Sequence, residues 1–274
     1  MNRRAHGLSW RAVRVWQRNL DVWKRGWKIN FLPPLLEPIF TILAFGAGLG
    51  AMIGSVTYRG QDYGYVQFII PAIISISMMY SSFFETSYAS FVRMYYQKTF
   101  DAMMTTPLSA YDVIAGELLW GATKPVFYTS ILLCVVSVMD LFVGGPPFLH
   151  YPDSLLLLPF CVVPGIAVAC TGMVCTALVP HIEDFNIPFF LFVTPMFLFS
   201  GTFFPLDQLP DWVGIVAQAF PLTHTVRIAR AATLGRLEAG LFLSLLFLAV
   251  WTLVFGWLAL RLMRRRLLGT NLPG

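Results

Sequence analysis

The chain has 274 residues, of which 57% are hydrophobic and only 12% are charged, and its formal net charge is +5. About a quarter of the residues in a typical soluble domain are charged, so this composition excludes an ordinary soluble protein. The apolar residues occur in blocks of about 20 or more, the length that crosses a bilayer. Most basic residues lie near the termini beside apolar blocks, as expected for contact with lipid headgroups rather than with nucleic acid.

Residues 1–30 are predicted to form a cytoplasmic tail and an amphipathic helix. Apolar residues recur there every three or four positions, with arginines and lysines mostly on the opposite arc. Such a helix is typical of the lipid headgroup plane, although a helix packed on a soluble partner is the alternative. The predicted membrane-interface anchors are Trp10, Trp16, Trp23 and Trp27.

Six apolar blocks follow, and each is long enough to span a membrane. Pro33 and Pro34 predict a corner before the first block, because proline lacks an amide donor and clashes with the preceding turn. Gly46, Gly50 and Gly54 share one face of the first block and predict a close helix approach. The blocks cover residues 31–54, 65–89, 113–142, 154–179, 185–204 and 239–260.

The distribution of lysine and arginine predicts the orientation in the membrane. The N-terminal 30 residues, the segment after the second block and the C-terminus hold eight, two and four of them and share one side. The other side holds Arg59, Arg227, Arg230 and Arg236. Since basic flanks stay in the cytoplasm, both termini are expected there. The predicted fold is an all-α integral membrane protein with a single six-helix transmembrane domain over residues 31–274.

The segment 205–238 is too long for a turn and too mixed in composition for a full span. Prolines and a glycine divide it into two pieces of about ten residues. Backbone at membrane depth must be helical or buried in protein, so two short re-entrant half-helices on the outer face are predicted. The breaks are Pro210, Pro221 and Gly235, and the half-helices are Asp211–Phe220 and Thr223–Leu234, with Asp211 and Thr223 as N-caps.

A cytoplasmic segment, residues 93–110, combines charged, aromatic and methionine side chains. It predicts a short helix across the membrane face that presents Phe100, Met103 and Met104 to a partner. The alternative is an amphipathic connector packed on its own bundle.

Four charged residues fall within apolar blocks, where each must find a partner or carry a large energetic cost. They are Glu37, Glu85, Glu117 and Lys124, all on the cytoplasmic side of the predicted topology. We expect an ion network that braces the helix ends, and a proton relay is the alternative. Glu117 and Lys124 are separated by about 10 Å of helix rise, which disfavours a direct pair.

The sequence carries no motif for catalysis or for metal binding. H-E-x-x-H and C-x-x-C are absent, and the four cysteines lie in apolar blocks without a neighbouring histidine or charge. The chain also lacks a G-x-x-x-x-G-K-[ST] phosphate loop. No catalytic residue, metal site or bound cofactor is therefore expected, and ATP, if it is the energy source, would bind to another chain.

Five segments in order resemble the type-2 ABC exporter permeases, and within that family the NodJ-like branch associated with lipooligosaccharide export. The outer-loop segment is the most specific, because its prolines and histidine recur in the family with this spacing. The segments are FLPPLLEP with the following glycine run (31–50), ETSYASFVRM (85–94), KTFDAMMTTPLS (98–109), GELLWGATK (116–124) and SGTFFPLDQLP (200–210) with PLTH (221–224) and Arg227.

The resemblance implies a homodimer in the bacterial inner membrane, in which a cytoplasmic ATPase subunit serves each permease and carries the ATP and magnesium. It identifies segment 93–110 as the coupling helix that receives the ATPase movement. The ATPase-coupling residues implied are Lys98, Thr99, Phe100, Asp101, Met103, Met104 and Pro107.

The expected function is ATP-driven export of an amphipathic molecule such as a lipid-linked oligosaccharide or polysaccharide. Three alternatives stay open. They are an ion-coupled secondary transporter, an exporter of drugs or other lipids, and a membrane scaffold that does not transport.

Overall fold

The computed structural model describes residues 7–143, 147–236, 238 and 240–269, and it is helical apart from its loops and one hairpin. The hairpin strands are β1 (Ser55–Tyr58) and β2 (Gln61–Gly64). The α-helices are α1 (Ala12–Arg25), α2 (Trp27–Leu43), α3 (Gly50–Ile53), α4 (Tyr65–Phe84), α5 (Thr99–Met104), α6 (Ala110–Val143), α7 (Leu157–Phe160), α8 (Val162–Leu178), α9 (Asn186–Pro188), α10 (Thr194–Phe199), α11 (Asp211–Gln218), α12 (Pro221–Thr233) and α13 (Leu241–Leu267).

Within the described residues, six helical stretches are long and apolar enough to cross a membrane, which confirms the six predicted spans. The second, third, fourth and sixth pack together through α4, α6, α8 and α13. The first, fifth and sixth spans bury few of their residues, and the sixth packs on the fourth through α13 and α8. The first to sixth spans are Trp27–Gly46, Tyr65–Tyr96, Ala110–Phe142, Asp153–Leu178, Ile182–Phe199 and Leu241–Leu267.

The second span is longer than predicted and ends at Tyr96 instead of position 89. Two π-helical stretches, Glu85–Ala89 and Val92–Tyr96, continue the helix beyond α4. Single π-helical turns of this kind occur often at functional sites. The extension places Arg93 inside the span rather than in the following loop.

The predicted corner at Pro33 and Pro34 is wrong. The chain turns at Gly26, and α2 then runs through both prolines. Prolines are tolerated within membrane helices, because local adjustments and neighbouring groups satisfy the freed backbone carbonyls. The hinge between α1 and the first span is therefore a glycine.

The β1–β2 hairpin lies between the first two spans and was not predicted. Ser55 pairs with Gly64 and Tyr58 with Gln61 in antiparallel register. The two turn residues, Arg59 and Gly60, both have positive φ angles of 51° and 75°. Two such residues are typical of a type I′ turn, whose twist matches that of the strands.

The closest helix contacts occur at glycines other than Gly46, Gly50 and Gly54. A Cβ atom added at Gly121 would lie 2.4 Å from Thr86 Cγ2, and one at Gly172 would lie 2.4 Å from Thr86 Oγ1. At Gly54 the same atom would meet nothing within 4 Å. The second, third and fourth spans therefore meet at Thr86, and the glycine run of the first span is not the main close contact.

Helices α11 and α12 match the predicted half-helices in position, and they begin directly after Pro210 and Phe220. Asp211 is the first residue of α11, and Thr223 lies inside α12, where its hydroxyl donates to the Ala217 carbonyl at 2.6 Å. Neither residue is an N-cap, so those two predictions are wrong. The proline at the start of α12 replaces the cap, because its fixed φ suits the first helical position.

Candidate functional site

Four charged side chains from the second and third spans form one ion cluster. Lys124 Nζ lies 2.9 Å from Glu85 Oε2, and Glu85 Oε1 lies 2.7 Å from Arg93 Nη1. Arg93 Nη2 lies 2.6 Å from Glu117 Oε2. The order in space is therefore Lys124, Glu85, Arg93, Glu117, with each acid next to a base. We call these four residues the ion cluster.

Glu117 is the most deeply buried member of the ion cluster and has no exposed surface. Its carboxylate accepts bonds from Asn19 Nδ2 at 2.8 Å and from Ser90 Oγ at 2.6 Å, besides two from Arg93. A buried ion pair is tolerated when the remaining lone pairs are satisfied in this way. Asn19 belongs to α1, so the ion cluster joins α1 to the second and third spans.

Helix α1 packs against the third span along one edge of its predicted apolar arc. A Cβ atom added at Gly116 would lie 2.4 Å from Val15 Cβ, so the two helices touch at this glycine. Trp16 Nε1 donates to Thr123 Oγ1 at 2.9 Å. The Trp23 ring stacks on Phe127 with the ring centres 4.6 Å apart.

Of the four predicted membrane-interface anchors, Trp16 and Trp23 are half-buried. Their rings contact the third span, whereas Trp10 and Trp27 are exposed and free to meet lipid. Hydropathy cannot separate the two cases, because a helix face that packs on protein is as apolar as one that faces lipid.

Replacing Trp16 with phenylalanine should lower the free energy of unfolding by about 1 kcal/mol, because the bond to Thr123 is lost. The same change at Trp10, which is 87% exposed, should have no measurable effect. Thermal unfolding of the two variants in detergent checks this. Equal midpoints for both would show that α1 does not depend on the bond to the third span.

The predicted coupling segment forms the short helix α5, preceded by Lys98 in a left-handed conformation with φ of 52°. Phe100 has no exposed surface and belongs to a core cluster with Phe91 and Met173. Met103 and Met104 are half-buried against the same cluster. The expectation that Phe100 faces a partner is therefore wrong, since it anchors α5 to its own bundle.

The exposed face of α5 and its flanks is polar. Lys98, Asp101 and Pro107 are exposed, and Thr99 is half-buried. Lys98 Nζ lies 5.0 Å from the centre of the Tyr95 ring, and Arg11 Nη1 donates to the Pro107 carbonyl at 2.6 Å. Both ends of the segment are thus tied to neighbouring helices, while the surface between them is free within the chain.

The ABC-2 type transporter family matches residues 12–234, which include α1, the ion cluster, α5 and α12. The chain belongs to this family. It is 34% identical to Nodulation protein J of Sinorhizobium fredii (strain NBRC 101917 / NGR234) over 259 residues, covering 94% of this chain and 95% of the relative. It is 35% identical to Nodulation protein J of Rhizobium leguminosarum bv. viciae over 264 residues, with coverage of 96% and 97%.

A more distant relative is the inner membrane transport permease YadH of Escherichia coli (strain K12), which is 23% identical over 260 residues, covering 94% of this chain and 96% of the relative. The resemblance drawn from the sequence motifs is thereby confirmed. The chain is a multi-pass ABC-2 permease of the NodJ-like branch.

In this ABC-2 permease the structure brings together three of the four charges singled out by sequence. Glu85, Glu117 and Lys124 belong to the ion cluster, and Lys124 pairs with Glu85 rather than with Glu117. Glu37 is exposed on the first span and makes no ion pair with a described residue. Arg93 was missed because the second span was expected to end at position 89.

Asn19 and Ser90 were also missed as ligands of Glu117. They are neutral and carry no motif, so their only sequence signal is a polar residue on an apolar helix face. Asn19 lies three and four positions from Trp16 and Trp23, and therefore on the same face of α1.

On the opposite side of the permease, α12 is held by a buried arginine. Arg230 Nη2 donates to the Gly201 carbonyl at 2.6 Å, and the guanidinium carbon lies 3.8 Å from the centre of the Phe68 ring. Burial lowers the pKa of Arg230 to about 10, so the side chain stays charged at neutral pH. Arg59 of the hairpin pairs with Glu238, which fastens the hairpin to the chain after α12.

The described part of this permease contains no group of three or more His, Cys, Asp or Glu side chains that could hold a metal ion. Its polar centre is the ion cluster, in which acids and bases neutralise each other. Such an arrangement can brace helices and transmit movement, and nothing in it supplies an activated nucleophile.

Proposed function

We propose that the chain is the membrane-spanning subunit of an ATP-driven exporter, which works as a homodimer with two copies of a separate ATPase subunit. It moves an amphipathic molecule, such as a lipid-linked oligosaccharide or polysaccharide, outward across the bacterial inner membrane. ATP and magnesium bind to the ATPase, and this chain binds no cofactor. Membership of the ABC-2 family and the relation to Nodulation protein J and YadH support this proposal.

The observation that carries the proposal is the direct link from α5 to the ion cluster. Arg93 lies only five residues before Lys98 and on the same continuous helix as Glu85. A push on α5 is transmitted to the end of the second span, and through Arg93 to Glu117 on the third. Packed interfaces switch between discrete arrangements rather than deform continuously, so a small movement at α5 can shift whole spans.

In the proposed orientation both termini and α5 face the cytoplasm, as the distribution of basic residues favours. The hairpin and the half-helices α11 and α12 then lie on the outer side, where they cap the export pathway. The first and fifth spans expose large apolar side chains such as Phe40, Phe190 and Leu191. These suit contact with lipid or with a second copy of the chain.

Reversing the charge of Asp101 should uncouple the ATPase from export and leave the fold intact, because the side chain is exposed on α5. The Asp101→Lys variant should copurify with less ATPase, or hydrolyse ATP without export. Asp21→Lys is the matched control, since Asp21 is also exposed and lies on α1. Copurification and flux that are identical in the two variants would exclude a coupling role for this surface.

A direct test of the function uses proteoliposomes that contain the chain and its copurifying ATPase, with a fluorescent acylated tetrasaccharide as the probe. Transport should require hydrolysable ATP. Flux that depends on an ion gradient and persists without ATP would identify a secondary transporter instead, and an ATPase rate that no amphipathic molecule stimulates would favour a scaffold.

A further inference from the structure

Two adjoining cavities follow the second span along one wall of the bundle. The larger, of about 780 Å³, is lined on this span by residues from Tyr80 to Arg93 and by Gln97 just beyond it, at the α5 end. The smaller, of about 250 Å³, is lined on the same span by residues from Ile69 to Tyr80. Tyr80 and Glu37 line both cavities, so the two meet at these side chains.

The larger cavity offers polar and aromatic groups together. Glu85, Arg93 and Lys124 of the ion cluster form part of its wall, and Asn19 and Asn30 contribute amides. Its size is within the range of about 300–1,000 Å³ that small-molecule sites occupy. The aromatic side chains of its wall are Trp23, Tyr80, Phe84, Tyr88, Trp120, Tyr128 and Phe189.

The charges around the larger cavity are balanced. The wall carries the bases Arg18, Arg93 and Lys124 and the acids Glu37 and Glu85. Glu117, which pairs with Arg93 from behind the wall, brings these charges to balance. A cavity without net charge gives an anionic headgroup no electrostatic advantage. Many hydrogen-bond donors and acceptors beside aromatic faces instead suit a neutral group that is rich in hydroxyls, since aromatic rings provide apolar surface with a polar edge.

The smaller cavity is mainly apolar. Its wall contains isoleucines and phenylalanines, and its polar members are Glu37 and Tyr80 at the junction with hydroxyl side chains such as Ser77 and Thr202. From Tyr80 to Ile69 the helix rises about 16 Å, at 1.5 Å per residue. The cavity is therefore elongated along the span and directed away from α5. This shape and lining suit a hydrocarbon chain.

We propose that the two cavities form one binding site for an acylated glycan, in which the sugar occupies the larger cavity and the acyl chain the smaller. Tyr80 lies at the junction between sugar and chain. The site gives the molecule a fixed direction, with its headgroup beside the ion cluster and its chain towards the hairpin. This inference rests on the proposed function and assigns the place and the orientation of the exported molecule.

The position of the headgroup has a mechanical consequence. A sugar in the larger cavity contacts the same Arg93 and Lys124 side chains that connect the second and third spans. Movement of α5 would thus change the walls of the headgroup site directly, without a relay through the outer half of the bundle.

The test measures binding to the full-length chain in phosphatidylcholine nanodiscs without ATP. The probe is a fluorescent acylated tetrasaccharide, and its deacylated form and lysophosphatidylcholine are the competitors. Ser77→Phe, which fills the smaller cavity, should weaken binding of the acylated probe at least ten-fold. Tyr128→Ala, in the larger cavity, should weaken competition by the deacylated sugar as well.

Ser130→Phe is the matched control, because Ser130 is exposed on the third span and bonds only to its own helix at Val126. It should bind the probe like the unchanged chain. If Ser77→Phe does not fold, Thr41→Phe fills the same cavity from the first span. Unchanged binding in the folded cavity-filling variant would overturn the proposal, and so would lysophosphatidylcholine competing as well as the acylated glycan.

ATP-driven flux of the same probe tests the binding site and the exporter function separately. Flux that persists at the normal rate in Ser77→Phe would overturn the site while the exporter function stands. Loss of binding in Ser77→Phe together with ATP-independent flux in the unchanged chain would support the site and contradict the proposed function.

Discussion

Replacing Arg93 with methionine is expected to destabilise the protein by about 3–5 kcal/mol, the usual cost of removing one partner from a buried ion pair. The change leaves Glu117, which has no exposed surface, without its cation and leaves Glu85 with Lys124 alone. Export should be lost as well, because the second and third spans are no longer joined beside α5. Denaturant unfolding in detergent micelles and ATP-driven flux measure the two effects.

Two further variants make this prediction specific to the ion cluster. Arg93→Met combined with Glu117→Gln should recover part of the lost stability, because the orphaned buried charge is removed with its partner. Arg14→Met should change little, since Arg14 is exposed on α1 and bonds to Gln17. If Arg93→Met is as stable as Arg14→Met, the ion cluster does not brace the helices.

The second large loss of stability is expected at Thr86, where the second, third and fourth spans meet. Gly172→Val should prevent the second and fourth spans from approaching, because the added Cβ atom would lie 2.4 Å from Thr86 Oγ1 and 3.0 Å from the Phe83 carbonyl oxygen. Overpacking of this kind costs about 1–3 kcal/mol or more. The share of monodisperse protein that remains after heating measures the loss.

A compensating change tests whether the contact with Thr86 causes this loss. Thr86→Ala removes the nearest atom and should partly rescue Gly172→Val. Gly214→Val is the control, since an added Cβ at Gly214 meets no atom within 4 Å. Equal heat resistance of Gly172→Val and Gly214→Val would contradict the close packing of the three spans.

The six spans could be predicted because each needs about 20 apolar residues. A block of this length can be recognised even when the first and last residues of the helix are placed wrongly. The hairpin could not, since its two strands have four residues each and show no usable period. The glycine spacing of the first span was visible in the sequence. Which glycines touch another helix depends on which spans are neighbours, and hydropathy does not encode that.

The ion cluster could be predicted in part. The rule that a charge in the membrane must find a partner identified Glu85, Glu117 and Lys124. The same rule selected Glu37, which instead lies at the junction of the two cavities. Arg93 was excluded by the predicted end of the second span, because the π-helical turns that extend this helix have no pattern in the sequence.

The orientation of α5 could also be predicted only in part from the sequence. Its composition was compatible with a helix that meets a partner and with one that packs on its own bundle. The structure shows packing on its own bundle and an exposed polar face. Phe100 is buried in the chain, while Asp101 next to it is exposed. In a helix of six residues, one residue decides which side faces inward, and hydropathy does not locate that residue reliably.

The most direct test of the exporter function is transport of the fluorescent acylated tetrasaccharide by proteoliposomes that contain the chain and its copurifying ATPase. Dithionite added outside reports how much of the probe has crossed the membrane. The account predicts transfer that requires hydrolysable ATP, is lost in Arg93→Met and is normal in Arg14→Met. Transfer at the same rate with and without ATP would contradict it.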